Sequence, residues 1–182
     1  MKKIMFSNAF CLTQAVLAGT KTITRRVLRD NVPLGNWDET IKHLPYKVGE
    51  VVAIAQSYND IGKPQYDKFG KGVAGNSNKM FVKAELMPRH IRITDVKVEH
   101  LQDISDKECL REGVKRASIG FYAEGVKVKD CEKEAHRETA SGCLKLFPFP
   151  RPAFASLINK ISGNGTWERN PWVVAYSFEL VD

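Results

Sequence analysis

The sequence predicts an α+β fold in which a few helices pack beside a small, partly open β-barrel. Three observations carry this expectation. Short apolar or alternating stretches stand near both ends and in the middle of the chain, stretches of helical periodicity number only two or three, and no segment repeats. With 182 residues and 43% hydrophobic content the chain can bury a core as one domain, 1–182, interrupted by expected insertions at 59–78 and 114–148.

Lys3 to Phe6 reads as a first strand, and Leu12 to Ala18 as a helix that Gly19 stops. The octet Gly19-Thr20-Lys21-Thr22-Ile23-Thr24-Arg25-Arg26 opens a second strand. Residues 30–46 hold Pro33, Gly35 and Pro45 and read as a loop, followed by the turn Lys47-Val48-Gly49-Glu50 and an apolar strand from Val51 to Ala55. Residues 59–78 mix Gly62, Gly70, Gly72 and Gly75 with polar side chains, the composition of a long excursion. Strands are expected again at 80–86 and 91–98, the second alternating so that one face is buried. Ser105-Asp106-Lys107-Glu108 is a capping box, in which serine and glutamate satisfy each other's free N–H groups, so a short helix should run to Gly113 and carry Glu112 in its last turn. Residues 114–148 show little periodicity and read as an insertion or lid. Arg151-Pro152 opens a helix whose core stripe is Phe154, Leu157, Ile158 and Ile161, ended by Gly163-Asn164-Gly165, and residues 172–180 form the last strand.

Composition excludes several classes. No apolar run is long enough to span a bilayer, residues 1–6 lack the apolar core of a signal peptide, and Cys11, Cys109, Cys131 and Cys143 lie far apart without a Cys-x-x-Cys pair. A cytoplasmic protein with reduced thiols and no membrane partner is expected. The 28 Lys plus Arg against 21 Asp plus Glu give +7, which favours an anionic partner, nucleic acid first. Nothing in the chain implies a cofactor, and nothing fixes an oligomeric state.

The octet carries the chemistry. Lys21 beside Arg25 and Arg26 is harder to protonate, because like charges disfavour the charged form, and such a lysine can take a proton from the Thr24 hydroxyl. The same cations can hold an anion, or simply form a solvated basic edge. Residues i and i+3 face opposite sides of a regular strand, so Lys21 and Thr24 meet only if the chain bends between them.

The order of the octet, then Lys47-Val48-Gly49-Glu50-Val51-Val52, then Ile93-Thr94-Asp95-Val96 with Leu101-Gln102-Asp103-Ile104-Ser105, then Asn170-Pro171-Trp172-Val173 resembles the ASCH domain family of the PUA-like superfamily, in the longer form common in bacteria and their phages. The resemblance implies a β-barrel with a cleft beside the first helix that takes RNA or a modified nucleoside, held by Lys21, Arg25 and Arg26. Some short members are amidohydrolases that remove the acyl group from N4-acetylcytidine with a lysine, a threonine and a glutamate. On this sequence those fall on Lys21, Thr24 and Glu112. Thr24 would attack the amide carbonyl, Lys21 would accept its proton, and Glu112 would orient the lysine or protonate the leaving amine. Binding alone and hydrolysis both remain open, and this chain is much longer than those enzymes.

Two other groups stand out. Cys131, His136 and Cys143, with His90, His100 or Cys109 as a fourth ligand, match no structural zinc spacing, so no metal site is expected. Trp172, Tyr176 and Phe178 alternate along the last strand and suit core packing better than base stacking.

Overall fold

The structure is a computed structural model and describes residues 1–128 and 144–182. Its elements are β1 (Lys3–Ile4), α1 (Leu12–Leu17), β2 (Ile23–Val27), α2 (Trp37–His43), β3 (Val51–Ile54), β4 (His90–His100), α3 (Asp106–Arg111), β5 (Val114–Ala117), β6 (Gly120–Ala123), α4 (Pro150–Ser162), α5 (Thr166–Arg169) and β7 (Trp172–Leu180). The architecture is α+β. A five-stranded sheet runs β1-β3-β4-β7-β2, with β1 parallel to β3 and the other pairs antiparallel, and β5 and β6 form a separate hairpin. The sheet does not close into a barrel. Its edges, β1 and β2, are joined near the gap by a side chain: Arg26 Nη2 donates to the Met5 carbonyl at 2.6 Å.

In β4 the buried apolar residues alternate, Ile91 and Ile93, then Val96, and the phase changes at a bulge between Ile93 and Asp95. The main core lies on one face of the sheet and includes Ile4, Phe6, Val52, Ile91 and Tyr176, the last edge-on to Tyr46 at 5.3 Å. A second core joins the other face to α3 and α4 through Leu101, Ile104, Phe154, Ile158 and Val173. Tyr176 and Phe178 are therefore core residues as expected, whereas Trp172 stays 40% exposed and lies over the His100 ring.

The capping box forms as expected: Ser105 Oγ accepts from the Glu108 N–H, and the Glu108 carboxylate accepts from the Ser105 N–H. Four local expectations are corrected. Residues 80–86 are not a strand but two short 3-10 turns, Lys79–Phe81 and Ala84–Leu86, because the carbonyls a ladder would use at Lys79, Met80 and Val82 accept instead from Lys3 Nζ. Residues 30–46 contain α2, started by the Asn36 side chain and supported by Asp38 and Glu39 in its first turn. It buries only Thr40, so no apolar stripe announced it. The second strand starts at Ile23 rather than at the head of the octet. Ile161 is 42% exposed and leaves the core stripe of α4.

Candidate functional site

Lys21 reaches the site through two local devices. Gly19, at φ 69°, turns the chain out of α1, and the Lys21 N–H then donates to the Ala15 carbonyl at 3.0 Å. The next residue is tied to α3: the Thr22 N–H donates to the Arg111 carbonyl at 3.0 Å, and Arg111 Nε donates to Thr22 Oγ1 at 2.9 Å. These bonds set the end of α3, with Glu112, against the start of β2. Gly113 follows at φ 112°, where a Cβ would come within 2.8 Å of Leu12 Cδ2, so the turn after Glu112 requires glycine.

The result is a buried ion pair. Lys21, 2% exposed, donates from Nζ to Glu112 Oε2 at 2.6 Å, to the Glu112 carbonyl at 2.7 Å and to the Ile23 carbonyl at 2.7 Å. Burial lowers its pKa below that of a free lysine; Glu112 opposes this, and Arg26 and Arg25 reinforce it. Lys21 precedes the regular strand, folds back on Ile23 and lines the same cavity as Thr24. Thr24 is buried, and no hydrogen bond joins it to Lys21 or Glu112.

Arg25 and Arg26 part company. Pairing of β2 with β7 sets Thr24 opposite Tyr176 and Arg26 opposite Val174, on the face of the main core, and leaves Arg25 on the other face. There its guanidinium is a hub for three carboxylates: Nε and Nη2 donate to Glu99 Oε1 at 2.9 and 2.6 Å, Nη1 to Glu112 Oε1 at 3.3 Å, and Nη2 lies 3.1 Å from Glu108 Oε1. Burial alone would lower its pKa, but Glu112, Glu99 and Glu108 together raise it. Arg26 borders the cleft with its Nε buried and without a partner.

These groups line a cavity of about 520 Å³. Lys21, Thr24, Arg26 and Glu112 supply its polar side, and Phe154, Leu157, Ile158 and Ile161 of α4 an apolar one. The three residues expected to act together, Lys21, Thr24 and Glu112, therefore do share one cavity. Glu99 was not anticipated: it sits among the charged residues of β4, a pattern that reads as a wet face, yet it is buried against Arg25. Of the zinc candidates, Cys131, His136 and Cys143 lie outside the described residues. His90 holds Asp182 at 2.6 Å, and burial pushes the Cys109 thiol up to about 12. Among the described residues no helix is long and apolar enough to cross a membrane.

Fold and site together define an α+β domain with a buried lysine–glutamate pair in the wall of a cleft sized for a small ligand. No protein-family model and no curated protein matches the chain. Among solved structures it is similar to an Enterococcus faecalis protein of the DUF984 family, at 17% identity, TM-score 0.43, over 100% of this chain and 81% of that one. It is also similar to the ASCH domain of a Lactobacillus crispatus protein, at 16% identity, TM-score 0.38, over 95% of this chain and 72% of that one. The second bears the family name that the sequence blocks resemble.

Proposed function

We propose that this cleft hydrolyses the exocyclic amide of an acylated nucleoside of the N4-acetylcytidine type. The observation that carries the reading is the Lys21–Glu112 pair, buried at 2.6 Å in a cavity that Thr24 also lines. Burial favours the neutral amine, the form a base requires, in which Nζ gives up one of its three donor bonds and frees a lone pair. Lys21 accepts the Thr24 proton as Oγ1 bonds to the carbonyl carbon; the C–N bond then breaks, and the leaving amine takes its proton from the Lys21–Glu112 pair. Water, activated by the same pair, hydrolyses the Thr24 ester and releases the carboxylate. The Arg26 Nε–H, buried and unpartnered, is the available donor for the carbonyl oxygen as negative charge develops there.

Binding without turnover is the second reading, favoured by the +7 net charge. An extended RNA would need exposed cations, however, and Lys21 and Arg25 are both buried in ion pairs, which supports a nucleoside over a strand. The test is incubation of the full chain with N4-acetylcytidine, following acetate and cytidine. Turnover should be abolished by Thr24→Ala and by Lys21→Arg, since arginine keeps the charge but cannot give up a proton near neutral pH. Nucleoside binding with no acetate released would leave the binding reading, and a Lys21→Arg variant with near wild-type turnover would remove Lys21 as the base.

A further inference from the structure

The apolar stripe of α4 runs on beyond the core it packs. Phe154, Leu157 and Ile158 are buried, but Ile161, one turn further, is 42% exposed where it lines the cleft. Met5 and Val27, 37% and 44% exposed, line it too. Two polar groups beside this wall are turned back on the protein: Thr166 Oγ1 donates to the Ser162 and Gly163 carbonyls, and Arg169 donates to the Asn164 carbonyl and to Thr166 Oγ1. A hydrocarbon placed there would remove three part-exposed apolar side chains from water.

We infer that the cleft is specific for amides with a large apolar acyl group, a chain of four or more carbons or a benzoyl ring, seated against Ile161, Met5 and Val27 while the amide lies at Lys21 and Thr24. This rests on the hydrolytic reading above. The volume of about 520 Å³ leaves room for a ligand of drug size. It also gives the exposed Ile161 a role that packing does not.

The test compares N4-acetyl-, N4-butanoyl-, N4-hexanoyl- and N4-benzoylcytidine, measuring kcat/KM on the wild type and Kd by calorimetry on both wild type and Thr24→Ala. A buried methylene is worth about fourfold, so butanoyl should exceed acetyl by about tenfold or more in kcat/KM and in affinity. Ile161→Asp, at a position exposed enough to be tolerated, should bring the hexanoyl-to-acetyl ratio close to one, and Ile161→Trp should lower it by filling the wall. If acetyl is hydrolysed and longer chains gain nothing, the apolar subsite is refuted and the hydrolytic reading stands. If nothing is hydrolysed but affinity climbs with chain length and collapses in Ile161→Asp, the subsite stands and the hydrolytic reading falls. Ratios unmoved by both Ile161 variants, or no binding of any member, overturn the inference.

Discussion

Replacing Arg25 by Met tests the charge arrangement behind the site. The guanidinium is the shared cation of Glu99, Glu108 and Glu112, and Glu99 and Glu112 are each 4% exposed. Removing one partner of a buried ion pair leaves an uncompensated charge out of water, at a cost of about 3–5 kcal/mol. In a chain of this size each kcal/mol moves the melting temperature by roughly 2–4 °C, so Arg25→Met should melt on the order of 6–20 °C below the wild type. Glu112 keeps Lys21 and Glu99 keeps its contact with Lys97, which places the expected loss at the low end. Urea and thermal unfolding of Arg25→Met, Glu99→Gln and the double variant form a cycle. The double variant should be more stable than Arg25→Met alone, because the orphaned carboxylate is what costs. A loss under about 1 kcal/mol for Arg25→Met, or further destabilisation in the double variant, would refute the hub.

Two predictions join it. Ser105→Ala should cost about 1 kcal/mol through the lost cap. It should also make the protein more sensitive to acid: burial works against the Glu108 charge, but hydrogen bonds from Ser105 and the Arg25 charge outweigh it and hold its pKa below the usual range. Stability from a lowered carboxylate is complete above its unfolded value and goes as pH falls through the folded one, so the acid midpoint should move up in Ser105→Ala; an unchanged midpoint counts against this account. If Lys21 is the base, kcat/KM should rise with pH through the lowered Lys21 pKa and level off below the 10.5 of a free lysine, whereas a flat profile would exclude its neutral amine from the rate-determining step.

How much was legible depended on where the signal was stored. The capping box, the alternation of β4 and the stop at Gly163 are local patterns, and each forms where the residues indicate it. What failed were segments whose structure is set by distant partners. Nothing within 80–86 reveals that Lys3 will occupy its carbonyls. The stripe Phe154, Leu157, Ile158, Ile161 is periodic to its end, and only the tertiary arrangement, in which a cleft opens beside the last member, separates Ile161 from the other three.

The site itself was half legible, and the missing half changes the physics. Crowding of Lys21 by Arg25 and Arg26 does lower the lysine pKa, as the octet implies, but burial is the larger cause, and burial is a property of the assembled fold. Glu112 is shared between two cations, Lys21 through Oε2 and Arg25 through Oε1. Arg25 thereby holds the Glu112 carboxylate in place while repelling the ammonium beside it, so one side chain orients Glu112 and eases the proton off Lys21. That dual action needs Arg25 held away from solvent, where Glu99 and Glu108 fix it, since in water the same repulsion would be screened to little effect. Two glutamates from β4 and α3 thus support a pair on which the chemistry would turn, and the carboxylate of each is joined to that pair through Arg25.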